Sequence, residues 1–186
     1  LDIKKAGNPN AYNREPFSKT EVAKLWDVKD SNIYYTVILM LIYTGCRIGE
    51  LLDLKKENVN LEERYFKIVA SKTAAGIRTA PISEKVYPFF EYWYNLNDCE
   101  YLLSTPEGEH FKYRNYYDSY WSPLIETLGM KHRPHDTRHT CISMLTVAGV
   151  SDKVIKKIVG HKGQGVTEVV YTHFEIEELI DAINKI

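Results

Sequence analysis

The sequence has few of the features that mark several large classes of protein. Its three cysteines, Cys46, Cys99 and Cys141, form no C-x-x-C pair, which argues against a disulfide framework and favours reduced thiols in a cytoplasm. No apolar run approaches the roughly 18 residues that a membrane span needs, so we expect no membrane partner. Residues 1–18 lack the hydrophobic core and cleavage site of a secretory peptide.

A strong net charge is also missing, because 24 Lys and Arg residues stand against 25 Asp and Glu residues, for a formal charge of −1. This balance gives no general indication of nucleic-acid binding. The charges are nevertheless segregated, since residues 131–139 and 153–162 are rich in cations and the EIEELIDA stretch near the C-terminus is acidic. The sequence therefore allows a basic face that the net charge conceals.

The chain has the size and composition of one globular domain, with 186 residues of which 44% are hydrophobic and 26% are charged. Residues 1–18 are polar, contain prolines and resemble a linker. Because this start has no initiator methionine, we expect an upstream domain that the chain does not include. The folded domain is expected over residues 19–186.

Apolar periodicity predicts a mostly α-helical domain with one small antiparallel β-sheet, an α+β arrangement. RYFKIVASKTAAGIRTAPI changes to the strand period on both sides of a Lys-Thr-Ala-Ala-Gly turn, which predicts a β-hairpin. KYRNYYDSYWSPLIETLG is expected to form a pair of helices. The other predicted helices are EVAKLWDVKD, SNIYYTVILMLIYTG, CRIGELLDLKKENVN, SEKVYPFFEYWYNL, DTRHTCISMLTVAG, SDKVIKKIVG and TEVVYTHFEIEELIDAINKI.

The stretch RPHDTRHT contains the most unusual charge of the chain, Arg138. It precedes the apolar stripe of the following helix on the same face, where an arginine needs an anionic partner because its charge cannot be lost. His135 lies three residues earlier, and helix N-termini attract anions. The stretch predicts either a structural ion pair with a buried acid or a site for an external anion.

A metal site is a further reading of the same stretch, with His132, His135 and His139 as ligands. No zinc-ligand pattern lies nearby and the HExxH signature is absent. We therefore expect no metal.

Arg47 is a second arginine on an apolar helix face, because it begins a predicted helix whose Ile48, Leu51 and Leu52 face the core. A structural pair with Glu50 or Asp53 would explain it. Alternatively, two arginines on separate helices hold one tetrahedral anion from two sides, a task that suits the planar guanidinium fork.

Three more residues are candidates by position. Lys72 lies beside the hairpin turn, where the alternative is an ordinary solvated lysine. His161 follows Gly160 at the end of a predicted helix, where the alternative is a cation that caps the helix. Tyr171, one of 14 tyrosines, lies just before the last predicted helix.

In this order the motifs resemble the tyrosine recombinases, also called the phage integrase family. The matching stretches are TGCRIGEL, SKT, HDTR, GHK and VVYTH, which run from Thr44 to His173. The resemblance implies that Glu50 orients Arg47 and that His139 lies behind the catalytic groups. The catalytic set that it implies is Arg47, Lys72, His135, Arg138, His161 and Tyr171.

The resemblance also implies a tyrosine recombinase catalytic-domain fold over residues 19–186 and a reaction without cofactor. The expected partners are double-stranded DNA and further copies of the chain in a tetrameric synapse. Residues 174–186 resemble the C-terminal helix of the family, which is expected to dock on a neighbouring subunit or, alternatively, to pack on its own domain. The expected function is site-specific recombination for a bacterial mobile element or prophage, in the cytoplasm and at the nucleoid. Relaxation of supercoils in the manner of a type IB topoisomerase, a DNA-binding module without catalysis and a metal-binding regulator are the alternatives.

Overall fold

The computed structural model describes residues 14–161 and 173–186 and, within them, confirms a mostly helical domain with one small antiparallel sheet. The sheet consists of β1 (Val59–Asn60), β2 (Tyr65–Ile68) and β3 (Arg78–Pro81). The helices of this part of the chain are α1 (Lys19–Val28), α2 (Tyr34–Thr44), α3 (Ile48–Leu52), α4 (Tyr87–Asn95), α5 (Tyr113–Tyr116), α6 (Ser122–Thr127), α7 (His135–Val147), α8 (Asp152–Val159) and α9 (His173–Ile183).

Helix α2 forms the centre of the core. All of its residues are buried, as its continuous apolar sequence predicts, and it packs against α1, α4 and α7. Gly45 ends the helix with φ 67° and donates its N–H to the carbonyl of Leu41. A Cβ at position 45 would lie 2.6 Å from Cγ1 of Val159. The glycine therefore allows the end of α8 to approach the end of α2.

The predicted hairpin is present as β2 and β3, which pair antiparallel with Phe66 opposite Ala80 and Ile68 opposite Arg78. The ring of Phe66 packs on Phe90 of α4, with ring centroids 5.4 Å apart. β1 adds a third strand next to β2. The sequence did not predict β1, because two residues are too few for an alternating pattern.

Two predicted helices differ from the structure. The helix that starts at α3 ends at Leu52, and a 3₁₀ turn then leads into β1. The predicted helix pair between Tyr113 and Thr127 is one continuous helical run, in which a π-helical segment, Tyr117–Trp121, joins α5 to α6. Pro123 follows this segment and cannot donate a backbone hydrogen bond, an interruption that the wider turn accommodates.

Helix α9 packs against β3 and α8 of its own chain. Leu179 and Ile183 of the predicted apolar face are buried, and Ile176 and Ile180 are half-buried. Asn184, just after the helix, accepts a hydrogen bond from the backbone N–H of Glu84 at 2.9 Å. Docking of this helix on a neighbouring subunit stays a prediction. None of the described helices has the length and apolar character needed to cross a membrane.

Candidate active site

Arg47 is held at the start of α3 by the carboxylate of Glu50. The backbone N–H and Nη1 of Arg47 both donate to Glu50, each at 3.0 Å. The Glu50 side chain is 4% exposed and that of Arg47 is 28% exposed. The carboxylate thus lies behind a guanidinium that stays accessible. Asp53, the other acid considered from the sequence, bonds to His110 instead.

A second arginine, Arg78 at the start of β3, contacts the same carboxylate. Its Nη1 and Nη2 donate to the two oxygens of Glu50 at 3.2 and 3.0 Å, and its side chain is 2% exposed. The sequence reasoning missed Arg78. The available signal was the strand period, because Arg78 shares one strand face with Ala80 and Ile82, both fully buried.

Glu50 therefore stays ionised in the interior. Burial acts to raise its pKa, but the hydrogen bonds and charge of Arg78, with those of Arg47, outweigh burial and lower the pKa. The hydroxyl of Ser71 donates a further hydrogen bond to Oε1 at 3.1 Å. One carboxylate thus joins the start of α3, the hairpin loop and β3.

Arg138 is buried one turn into α7, with 3% of its surface exposed. A buried acid was one predicted partner of Arg138, but its Nη1 donates to two carbonyl oxygens, that of Gly45 at 3.1 Å and that of Val159. Asp136, the buried acid of the same helix, bonds to His132. Nη2 of Arg138 has no hydrogen-bond partner within the residues that the structure describes.

The charge of Arg138 is retained. Burial lowers its pKa to about 10, and the charges of Arg47 and Arg78 act in the same direction. A pKa of this value leaves the guanidinium protonated at neutral pH. A buried cation that contacts neutral carbonyls and keeps a donor atom uncommitted has the properties of an anion-binding group.

His135 and His139 lie on successive turns of α7, with ring centroids 5.0 Å apart. Burial lowers the pKa of His135 to about 4, assisted by the charges of His139 and Arg14. Burial also lowers the pKa of His139. His135 is therefore neutral at pH 7 and able to accept a proton.

A cavity of about 550 Å³ opens beside these groups and brings Arg47 and His135 to one surface. Its other cationic and aromatic lining residues, Arg14, Tyr113 and Arg133, were not predicted, because they lie outside the motifs. The lining residues are Arg14, Arg47, Ile48, Tyr113, Arg133, Pro134, His135 and Asp136.

His161 is exposed and directly follows the end of α8. Gly160 ends that helix with φ 69° and donates its N–H to the carbonyl of Lys156. A Cβ at position 160 would lie 2.7 Å from Nη1 of Arg78 and 2.9 Å from the carbonyl oxygen of Ala75. The segment that carries His161 therefore packs closely on the hairpin loop.

Lys72 is exposed on the hairpin loop, next to Ser71, which is bonded to Glu50. The loop is thereby attached to the group that holds Arg47. Tyr171 lies outside the described residues. The structure thus gathers five of the predicted catalytic residues on segments that meet around Glu50, Arg78 and the ends of α2 and α8.

His132 links α7 to the beginning of the described chain. Its Nδ1 bonds to Asp136 at 3.0 Å, its Nε2 bonds to Glu21 at 2.9 Å, and its ring stacks on Phe17 with centroids 3.9 Å apart. The N–H of Phe17 donates to the hydroxyl of Thr140 at 2.9 Å. Both ring nitrogens of this histidine are bonded to carboxylates, and within the described ranges no group of three or more His, Cys, Asp or Glu side chains is arranged so that it could hold a metal ion.

Comparison with known sequences gives consistent relatives. The phage integrase family matches residues 17–178. The chain is 29% identical to the tyrosine recombinase XerA of Pyrococcus horikoshii over 99% of the chain and 66% of that protein. It is 28% identical to a tyrosine recombinase of Pseudothermotoga lettingae, over 96% of the chain and 64% of that protein. The chain thus spans a little under two thirds of these relatives.

Solved structures share the fold. The integrase of transposon Tn1549 in complex with a circular intermediate DNA superposes with a TM-score of 0.73 at 20% identity, over 83% of this chain and 60% of that one. The integrase from mycobacterium phage Brujita gives 0.71 at 20% identity, over 98% of this chain and 61% of that one. The fold is that of tyrosine recombinase catalytic domains. With the family match covering most of its length, the chain belongs to the phage integrase family.

Proposed function

We propose that this chain is the catalytic part of a site-specific DNA recombinase that cuts and rejoins strands through a 3′-phosphotyrosyl intermediate. The observation that carries the proposal is the pair of arginines on separate helices, Arg47 and Arg138. Each is held from behind by buried acceptors. Arg47 lines the cavity, and Arg138 keeps Nη2 uncommitted among the described residues. Such guanidinium groups match the oxygens of a phosphate.

In the proposed reaction, the hydroxyl oxygen of Tyr171 attacks the scissile phosphorus in line with the 5′-oxygen. A bond from phosphorus to the tyrosine oxygen forms as the bond to the 5′-oxygen breaks. His135, neutral at pH 7, accepts the tyrosine proton, and Lys72 gives a proton to the departing 5′-oxygen. The products are a 3′-phosphotyrosyl ester and a free 5′-hydroxyl.

Negative charge grows on the nonbridging oxygens during this step. In the proposal, Arg47 and Arg138 contact these oxygens, and His161 donates one more hydrogen bond. Preorganised donors of this kind contribute strongly, since removal of one donor from a comparable site lowers the rate by roughly 10²–10³. His139 supports His135 from the next turn of α7.

The covalent ester retains the energy of the broken phosphodiester bond. A 5′-hydroxyl from a second DNA strand therefore reverses the reaction and joins the strands in a new combination. The bonds broken and formed in this reaction balance without a nucleotide, metal or other cofactor. This chemistry distinguishes recombination from cleavage by hydrolysis, which would release that energy.

We propose double-stranded DNA as the substrate, because the cavity is lined by arginines and the Tn1549 relative is described in complex with DNA. A tetramer of the chain on DNA is proposed in the same way, since a structural relative is a lambda integrase tetramer bound to a Holliday junction. A role in a bacterial mobile element or prophage is supported by structural relatives that are integrases of a transposon and of a phage. A DNA substrate of this kind would place the protein at the nucleoid, in the cytoplasm.

The test uses a nicked duplex whose cleavage releases a short strand, so that the covalent product cannot revert. Its sequence is selected beforehand from a random pool by binding to the protein. The wild-type protein should give a protein–DNA adduct that survives denaturation, and Tyr171→Phe should give none. Mass spectrometry of the adduct should place the DNA on Tyr171.

Other outcomes would change the assignment. Binding without an adduct in the wild-type protein would favour a DNA-binding module over an enzyme. Relaxation of a supercoiled plasmid by the isolated monomer, with no strand exchange between paired sites, would favour a topoisomerase.

A further inference from the structure

We infer that Arg78 is a positioning residue that sets both the orientation and the available charge of Arg47, acting through Glu50. The inference rests on the proposed function, because it concerns the same phosphate site. Arg78 lies outside the motifs that identified that site. Its side chain is buried, so it acts on the reaction through other groups.

All five N–H donors of the Arg78 guanidinium have an acceptor, the full number that arginine offers. Nη1 and Nη2 donate to the two oxygens of Glu50, in the forked geometry that fixes a carboxylate in one plane. The remaining donors reach the carbonyl of Gly76 from Nη1 at 2.6 Å, the carbonyl of Ile158 from Nε at 2.8 Å and the thiol of Cys46 from Nη2 at 3.9 Å. The orientation of Glu50 is therefore set by a fully committed side chain.

The charges of the cluster give Arg78 a second effect. Glu50 contacts Arg47 at 3.0 Å in a largely buried environment, and alone it would cancel most of the field of Arg47. With Arg78 on the other side, the three groups carry a net positive charge. The negative charge of Glu50 is balanced by a buried arginine, and the charge of Arg47 remains available to a phosphate.

Arg78 also holds the end of α8. Its Nε binds the carbonyl of Ile158, and Arg138 binds the carbonyl of Val159, so two guanidinium groups bind consecutive carbonyls at the helix C-terminus. Gly160 and His161 follow at once. The same arginine thus relates the placement of Arg47 to that of the segment that carries His161.

The experiment compares single-turnover adduct formation on the selected nicked duplex for the wild-type protein, Arg78→Met, Glu50→Gln and the double variant. Arg78→Met should lower the rate by roughly 10–100-fold, the range seen at metal sites when a side chain that orients a ligand is removed. Without Arg78, the negative charge of Glu50 is balanced only by Arg47. Adding Glu50→Gln removes that negative charge and keeps an acceptor for Arg47, so the double variant should react several times faster than Arg78→Met.

This recovery separates positioning from a purely structural role. If Arg78 served only the fold, a second change in the buried cluster would lower activity further. Arg64→Met is the matched control, because Arg64 lies at the end of the β2–β3 ladder opposite to Arg78. This variant should react at the wild-type rate. All rates are measured well below the unfolding temperature of each variant.

The outcomes are distinguishable. An adduct from the wild-type protein, with Arg78→Met reacting equally fast or the double variant no faster than Arg78→Met, would overturn the inference and leave the proposed function intact. No adduct from the wild-type protein would overturn the proposed function and the inference with it. If Arg78→Met does not fold, Arg78→Lys replaces it, since it keeps the charge and loses the fork; a wild-type rate for Arg78→Lys would also overturn the inference.

Discussion

Arg138, buried one turn into α7, donates to the carbonyl of Gly45, the residue that ends α2, at 3.1 Å. The same Nη1 donates to the carbonyl of Val159 at the end of α8. One guanidinium therefore satisfies carbonyls at the ends of two helices and is itself carried by a third. The position of this charge is fixed by the packing of α2, α7 and α8, so the geometry of the site depends directly on the core.

Arg138→Lys should inactivate the protein although it keeps the positive charge. A lysine ammonium has no planar fork, so it cannot bind both carbonyls and also direct a donor to a phosphate. We expect adduct formation on the nicked duplex to fall by roughly 10²–10³. Arg114→Lys, an exposed arginine on α5, is the matched control. Equal losses in both variants would show that the effect is not specific to the buried position.

Gly160→Ala should destabilise the protein more than Gly129→Ala. Both glycines have nearly the same left-handed backbone, with φ 69° and 68°. A Cβ at position 129 meets no atom within 4 Å, whereas a Cβ at position 160 meets Arg78 and the backbone of Ala75. The conformational cost of roughly 1–2 kcal/mol is therefore shared, and the steric cost applies only at position 160.

Denaturant unfolding of the two glycine variants measures this difference directly. The adduct rate should fall in Gly160→Ala and remain close to the wild-type rate in Gly129→Ala. The same free energy of unfolding for both variants would contradict the close packing of α8 on the hairpin loop.

His135 should stay neutral in the DNA-free protein well below pH 6.5, because burial lowers its pKa to about 4. In the unfolded chain the imidazole takes up its proton near pH 6.5. The contribution of His135 to stability is thus fully present above pH 6.5 and is lost as the pH falls from 6.5 to about 4. NMR titration of the ring protons, assigned with His135→Asn, tests the value. A midpoint at 6.5 would be incompatible with desolvation of this partly buried ring.

Glu21→Gln should lower stability at pH 7 by up to about 1 kcal/mol, since it weakens the contact of the Glu21 carboxylate with His132, at 2.9 Å. Burial acts to raise the pKa of Glu21, but hydrogen bonds from Ser18 and His132 outweigh it and lower the pKa. The stabilisation is present above the ordinary carboxyl value of 4.5 and is lost as the pH falls through the lowered pKa of the folded state. Urea unfolding at pH 7 and at acidic pH should show the difference between wild type and variant disappear. Asp27→Asn on the exposed face of α1 controls for the loss of one negative charge.

The sequence was sufficient to predict those site residues whose charge is unusual for their position. Arg47 and Arg138 stand out because each belongs to an otherwise apolar helix face, and the hairpin that holds Lys72 follows from a change of period. The partner of Arg138 was not predictable, since the carbonyls of Gly45 and Val159 meet only through the packing of three helices. Local sequence contains no record of that convergence.

Arg78 is a residue of the site that the sequence did not identify. Its alternation with Ala80 and Ile82 indicates an inward position, but that signal is weak, because all four residues of β3 are buried and no exposed face provides a contrast. The sharing of Glu50 between two arginines likewise depends on the distance between α3 and β3 in space. The π-helical segment after Tyr116 was missed because periodicity identifies a helix but not a local change in its pitch.

The contacts of Phe17 have a mechanical meaning. Its amide is bonded to Thr140 and its ring lies on His132, so the described chain is attached to α7 at the point where it enters the domain. A load applied to the residues before Phe17 would reach α7 through these contacts without passing through the sheet or α8. Helix α7 therefore both carries Arg138 and holds the chain at Phe17. A displacement of the residues before Phe17 would be transmitted to the position of Arg138.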